Sequence, residues 1–460
     1  MSSIREIDAE VVVIGAGLTG LTTAYYLKKA NIKFVVLEKA AVVGGVIQST
    51  TENGFTYEEG PNTGVVGNTT VIEVFEELAD TCTLELASDT AKKRFILKKG
   101  NWEALPQGPV AAIKTPLFTL KDKFRILGEP FRPAGKNPHE NLASFVKRRL
   151  GQSFFDYAID PFIIGVYAGD PNYLIPKYAL PKLYNLEQKY GSLIGGSFRK
   201  SFIKKTEQER KVNRKVFSCK GGLSSLTRAL YEHCSSENFV LESQNIHVQP
   251  TESGYITHAE TADGTQIRVN TKKVISTVGA YALESILPFV DAASLARLTS
   301  LHYTKVIEVV LGFNEWKGIE LDGFGGLIPS IEKRDILGIL YMSTLFENRA
   351  PKDGALLSIF MGGVRRQDLI NLSDTEIRQI VTKECMDLLG LTQFNPDLFK
   401  IIRHNKAIPQ YGIESGERFE TIEQLEHQYS GLIIGGNLRN GIGMADRMNQ
   451  GKTLAEAAID

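Results

Sequence analysis

The segment Gly15-Ala16-Gly17-Leu18-Thr19-Gly20 constrains the fold of this chain more than any other stretch. It follows an apolar run, Val11–Ile14, and opens residues 21–30, which read as a helix. A second apolar run, residues 33–38, ends in Glu38, eighteen residues beyond Gly20. GxGxxG alone is a weak signal. Strand, glycine turn, helix, strand and terminal carboxylate together are what a dinucleotide-binding βαβ unit requires. Gly15 permits the tight turn, Gly17 lets the backbone approach a pyrophosphate, and Gly20 allows helix and strand to pack closely. Ala16, Leu18 and Thr19 complete the turn, and amides at the helix N-terminus face the phosphates. Glu38 is placed to accept from ribose hydroxyls and disfavours a 2′-phosphate. Lys39, next in the chain, is grouped with it.

A second glycine pair, Gly44-Gly45, separates FAD from NAD, because many FAD enzymes carry a GG turn there and an NAD dehydrogenase needs none. The turn Gly60-Pro61-Asn62-Thr63 is similar to the loop that passes the flavin ring in such enzymes. Near the C-terminus an apolar strand, residues 431–435, runs into a glycine-rich turn containing Gly436, Gly441, Ile442 and Gly443, with a helix expected from about Gly451. A helix N-terminus there stabilises negative charge on a reduced ring. The alternative is an ordinary glycine-rich loop. A middle strand ending Ser276-Thr277-Val278-Gly279 is expected to return to the same unit. Ile246 is the candidate for a backbone contact to the adenine.

At 460 residues the chain exceeds one ordinary core. Its 43% hydrophobic and 23% charged residues are those of a folded protein. Lys+Arg and Asp+Glu balance at 53 each, which argues against a general nucleic-acid binder. The charge is uneven: residues 91–150 carry fourteen Lys/Arg against four Asp/Glu, and residues 199–215 eight against two. Cys82, Cys219, Cys234 and Cys385 show no CxxC spacing, so free thiols are expected. The seven histidines have no metal-ligand spacing, and no Ser/His/Asp or Cys/His arrangement is evident. Neither a metal nor a catalytic side chain is expected. The polar N-terminus lacks a signal peptide's apolar core, and no apolar run approaches 18 residues. The expected location is cytoplasmic, with contact to the inner face of the cell membrane as a further expectation.

The expected class is α/β: a discontinuous Rossmann-like FAD-binding domain, residues 1–85, 215–290 and 405–460; a basic, helical, membrane-contacting domain, residues 90–210; and a mixed-sheet substrate domain, residues 291–404. In residues 114–131, Leu117, Phe118, Leu120, Phe124, Ile126, Leu127 and Phe131 interleave with Lys114, Lys121, Lys123 and Arg125. This suits a surface resting on anionic lipid. It equally suits a solvated helix with a core-facing stripe.

The chain resembles the flavin amine oxidase superfamily, which includes monoamine oxidases, phytoene desaturases and protoporphyrinogen oxidases. Four motifs resemble the last of these: residues 160–171, with Gly165-Val166-Tyr167-Ala168-Gly169-Asp170-Pro171; residues 190–196; residues 217–223; and Ala407-Ile408-Pro409-Gln410-Tyr411. Two departures from that pattern are Val46 after the glycine pair and Arg403-His404-Asn405-Lys406 before AIPQY. The resemblance implies FAD-dependent, six-electron oxidation of a porphyrinogen in haem synthesis, with dioxygen or another acceptor reoxidising the flavin. It implies that Arg94 pairs with a propionate, that Gly165 lines the slot, and that Leu327 and Phe360 sandwich the macrocycle. Peripheral membrane contact and a homodimer are its further expectations.

Three rivals stay open at this point. One is a sister enzyme acting on coproporphyrinogen III, with four carboxylate arms. Another is an amine oxidase or carotenoid desaturase; an amine oxidase needs two aromatics at the flavin, and Tyr411 supplies only one. The third is a non-catalytic carrier similar to GDP-dissociation inhibitors, against which the retained glycine motifs argue.

Overall fold

The computed structural model describes residues 4–202 and 206–459. Residues 203–205, inside the basic stretch 199–215, and Met1–Ser3 of the polar N-terminus lie outside the described residues. The apolar runs form a five-stranded sheet in the order Phe239–Val240, Phe34–Leu37, Val11–Ile14, Lys273–Ser276, Leu432–Ile434. Every neighbouring pair is parallel. Taken in chain order the strands run 3-2-1-4-5, the doubly wound arrangement that opens a ligand crevice at the carboxyl ends of its strands. Val11 and Val13 pack towards the helix Leu18–Lys29, while Val12 and Ile14 pack towards a second layer. Both faces are covered, which is why these strands read as continuous rather than alternating apolar runs.

The second layer is a four-stranded sheet of Ile4–Asp8, Gln266–Thr271, Gly254–Glu260 and Gln244–Thr251. The polar N-terminal segment contributes its edge strand, pairing parallel to Gln266–Thr271. Asp263-Gly264 forms the expected hairpin turn, with Gly264 at φ +82°.

A further sheet has seven strands: Leu398–His404, Val306–Phe313, Ala355–Gly362, Ile336–Tyr341, Gly325–Leu327, Phe95–Lys98 and Asn101–Ala104. Its last two members fall inside the stretch expected to be helical from residue 90. There Lys99 and Gly100 both take positive φ, +52° and +78°, and close a two-residue hairpin. Leu97 packs into the sheet's core and Ile96 towards Leu117 and Phe118. This two-residue alternation is short enough to be hidden among the flanking lysines. The helix Asp374–Leu388 covers one face of the sheet, meeting Ile307, Val309, Leu311, Ile359 and Met361. The alternate residues of those strands point to the other face.

Between residues 105 and 202 the chain is helical, chiefly Leu142–Arg149, Asp160–Tyr167, Pro181–Tyr190 and Leu193–Ser201. Buried charges fix it. Arg149 and Glu129 form an ion pair with no solvent exposure on either side chain. Glu129 also accepts from Ser192 Oγ at 2.5 Å and from the amides of Leu193 and Ile194. Glu187 accepts from Arg148 at 2.8 Å. Several charge-assisted donors fix buried carboxylates geometrically. Among the described residues no helix is long and apolar enough to cross a membrane.

Candidate functional site

The glycine turn after Val11–Ile14 is shaped by contacts that only glycine tolerates. Gly15 has φ +100°, and a Cβ on Gly20 would stand 1.9 Å from the Gly15 carbonyl oxygen. A Cβ at Gly17 would meet open space, so the backbone there borders a cradle. Leu18 and Thr19 form the first turn of the helix. The Ala16 amide donates to Glu38 at 2.7 Å and the Ala40 amide at 2.9 Å, so among the described residues the carboxylate is held at the strand's end by amides rather than a cation. Lys39 is exposed, and its carbonyl accepts from Gln244 Nε2 at 2.8 Å. Ile246 sits in a register shift between Gln244 and His247, out of the regular ladder.

The second glycine pair closes over the first. The Gly44 amide donates to the Ala16 carbonyl at 2.8 Å, and a Cβ on Gly45 would stand 3.4 Å from the Gly17 Cα. Gly60 lies so close to Val46 that a Cβ would stand 2.0 Å from its carbonyl oxygen. Pro61 and Thr63 are half-buried around buried Asn62. From there the loop reaches the last helix, where Asn68 Nδ2 donates to the Ala445 carbonyl at 2.7 Å. That helix is Met444–Ile459, and it begins seven residues before the expected start at Gly451. Gly451 is instead a contact glycine, its Cβ position 2.7 Å from the Thr19 carbonyl. The helix N-terminus therefore follows directly on Gly441, Ile442 and Gly443. Gly436 turns at φ +92° against the Val278 carbonyl. Two glycine turns, an open Gly17, a fixed Glu38 and a helix N-terminus border one crevice. These residues are of the kind that would hold FAD, the glycine turn Gly15–Gly20 offering amides to a pyrophosphate and Glu38 an acceptor to a ribose.

Across the crevice stands the other face of the seven-stranded sheet, where Glu308, Val310 and Leu356 are buried. The ladder sets Ile402 opposite Glu308, Glu308 opposite Phe360, Phe360 opposite Gly338, and Gly338 opposite Leu327. Leu327 pairs in turn with Ile96. Directly opposed residues share a face, so Phe360 and Leu327 flank Gly338 in one row. A Cβ on Gly165 would stand 2.3 Å from Leu327 Cδ2, so the helix Asp160–Tyr167 presents bare backbone to that row. Arg94 lies two residues before Ile96, on the same face. Its guanidinium lies 5.0 Å from the centre of the Phe324 ring. Among the described residues it has no carboxylate partner. The four residues implied by resemblance thus come to one side of the sheet.

The motif residues join the parts around this crevice. Gln410 Nε2 donates to the Tyr167 carbonyl at 3.0 Å, linking AIPQY to GVYAGDP. Ala168 takes a left-handed φ of +46°, and its carbonyl accepts from Val364. Tyr411 donates to the carbonyls of Asn437 and Gly441 at 2.8 and 3.1 Å, and burial pushes its hydroxyl up to about 12. Tyr303 donates to Asn437 Oδ1 at 2.9 Å. A tyrosine held this way braces the turn at Gly441. Neither Tyr303 nor Asn437 was singled out by sequence; their roles depend on contacts across more than a hundred residues.

The family profile of flavin containing amine oxidoreductases matches residues 18–436. The chain belongs to this family. The flavoenzyme is 29% identical over 480 residues to protoporphyrinogen oxidase 2 of Arabidopsis thaliana, covering 98% of this chain and 93% of that protein. It is 30% identical to protoporphyrinogen oxidase 1 of Spinacia oleracea, covering 98% and 84%. To the coproporphyrinogen III oxidase of Bacillus subtilis it is 26% identical, covering 98% and 97%. In fold it matches a crystal structure from Exiguobacterium sp. 255-15 with a TM-score of 0.79 at 23% identity, covering 99% of each chain. The flavoenzyme is an FAD-dependent oxidoreductase.

Proposed function

We propose that this flavoenzyme oxidises protoporphyrinogen IX to protoporphyrin IX. The observation that carries the reading is the row containing Leu327, Gly338 and Phe360. It is faced by the bare backbone of Gly165, with the unpaired Arg94 on the same side. A large apolar ring with carboxylate arms calls for an apolar slot and a guanidinium at its rim. Full-length similarity to relatives bearing that activity in their names supports the reading.

When bound, FAD supplies the two-electron acceptor, used three times per macrocycle, and dioxygen or another acceptor takes the electrons on. The chain's own residues bind and orient. Leu327 and Phe360 hold the ring's faces, and Arg94 pairs with a propionate. The Gln410–Tyr167 and Tyr411–Asn437 bonds keep the walls closed against water.

Contact with a membrane surface belongs to the same reading. On the helix Leu120–Leu127, Leu120, Phe124 and Leu127 are exposed, and Phe131 beyond it is 90% exposed. Phe198 and Phe202, 65% and 71% exposed, lie on or next to the helix Leu193–Ser201. The Glu129 bonds to Ser192, Leu193 and Ile194 hold the start of this second helix beside the loop that follows the first. Large exposed apolar patches rimmed by cations suit an anionic lipid surface.

The deciding measurement is the visible spectrum of the purified protein, followed by porphyrin fluorescence in air. Protoporphyrinogen IX and coproporphyrinogen III are supplied separately. Fast fluorescence growth on protoporphyrinogen supports the proposal. A strong preference for coproporphyrinogen moves the enzyme to the activity of its Bacillus subtilis relative. A flavin spectrum with neither substrate oxidised rejects both.

A further inference from the structure

Glu308 is fully buried in the middle of the strand Val306–Phe313. Three other buried carboxylates have cations, Glu129 with Arg149, Glu187 with Arg148 and Glu58 with Arg349, and buried Glu38 has two backbone amides instead. Glu308 has no cation among the described residues. Its Oε1 accepts from Asn62 Nδ2 at 2.8 Å, and its Oε2 has no hydrogen-bond partner. Asn62 is committed elsewhere too, donating to the Gly60 carbonyl at 3.2 Å and accepting from Ser358 Oγ at 2.9 Å. A buried carboxyl without a cation is costly when ionised and is kept only where the charge or the proton has a use.

Its place suggests the use. Glu308 stands opposite Phe360, in the row that includes Leu327. Through Asn62 it grips the loop that runs on to the first turn of the helix Met444–Ile459. That grip directly joins the cofactor side of the crevice to the substrate side. The ionisable groups around it are few. Glu58 pairs with Arg349 and Glu59 accepts from Thr50. On the adjoining strand, Lys400 pairs with Glu52 at 2.8 Å, and His404 feels chiefly its own burial and Glu59. None of these places a cation on Glu308. Burial pushes its carboxyl up to about 8, against the hydrogen-bonding pull of Asn62 and Ser358 and with the charges of Glu58 and Glu59.

We infer that Glu308 is a proton site linked to the redox state of the flavin, acting through Asn62 as a positioning residue rather than touching the substrate. A hydride delivers two electrons and one proton and leaves one extra negative charge on the ring. Where Glu308 is ionised, that charge draws one solvent proton onto its carboxylate. Reoxidation by dioxygen consumes two electrons and two protons, and the carboxyl releases its proton as the ring loses its charge. The inference requires FAD in the crevice but not any particular organic substrate.

The test is the midpoint potential of the FAD-loaded enzyme, reduced with dithionite without porphyrinogen, in the native protein and in Glu308→Gln. Glutamine keeps an acceptor for Asn62 and cannot ionise. One extra proton per two electrons is a tenfold change per pH unit, so the native slope should steepen by about 30 mV per unit above about pH 8. Glu308→Gln should keep one slope throughout. Equal slopes in the two proteins overturn the inference. A second readout needs no variant: the reduced-minus-oxidised infrared spectrum above about pH 8 should gain a protonated-carboxyl band. Its absence in the native enzyme is equally decisive. A steepened slope in a protein that leaves porphyrinogens untouched would fail only the substrate reading. Porphyrin formation with an unchanged slope would fail only this one.

Discussion

Arg94 shows how much of a site rests on one charge. Its guanidinium lies near the Phe324 ring with no carboxylate beside it, so its charge remains available to an anionic ligand. A charge-assisted bond contributes about 1.5–3 kcal/mol, so Arg94→Ala should lower kcat/KM for a porphyrinogen by roughly 10- to 100-fold. The flavin spectrum should stay unchanged. Unaltered kinetics would return Arg94 to the solvated basic face that its lysine neighbours also suggest. Gly20 lies at the opposite extreme, where no charge is involved and geometry decides. A methyl group 1.9 Å from the Gly15 carbonyl cannot be accommodated without moving the turn. Gly20→Ala should therefore purify without flavin colour or fail to fold. A yellow, stable Gly20→Ala protein would contradict the packing described.

The elements show where sequence suffices and where it stops. The βαβ unit was readable because strand, turn and helix follow one another in thirty residues and each glycine has a local reason. Phe95–Lys98 and Asn101–Ala104 were not, because their partner Gly325–Leu327 is distant in sequence and their neighbours are lysines. The last helix was misplaced because Gly451 reads as a start, whereas it serves a close approach to Thr19. Glu308 is the clearest case. Alternation alone would bury it, and only the register that sets it opposite Phe360 reveals its face. The helix Leu120–Leu127 offers a direct test at this scale. A capping box formed by Thr119 and Asp122 fixes its start, and Leu120, Phe124 and Leu127 are exposed rather than packed. Replacing Phe124 and Phe131 by Asp should abolish co-sedimentation with anionic vesicles. Stability should change by no more than about 0.5 kcal/mol per site, since little burial is lost. A large drop in stability would mean that these side chains belong to a packed face, and retained vesicle binding would remove the membrane reading.

At the scale of the whole molecule, the glycine loops of the five-stranded sheet meet the seven-stranded sheet and the helical region, and a few bonds tie the parts together: Asn62 to Glu308, Gln410 to Tyr167, and Tyr411 to the Gly441 turn. The proposed cofactor site lies between parts that distant pieces of chain bring together, so FAD binding free energy should couple to the stability of both. Ligand that binds only the folded state adds about 2.7 kcal/mol at a hundredfold excess over Kd and about 4.1 at a thousandfold. Stripping FAD should therefore lower Tm, and titrating it back should raise Tm steadily with the logarithm of its concentration. Flavin fluorescence, which reports release, and far-ultraviolet dichroism, which reports both sheets, should follow the same transition. Release at a temperature well below loss of structure would show that the crevice opens without unfolding. The three stitching bonds would then be hinges rather than clamps. Coincident transitions would show that cofactor binding and the joining of the two sheets are a single cooperative event.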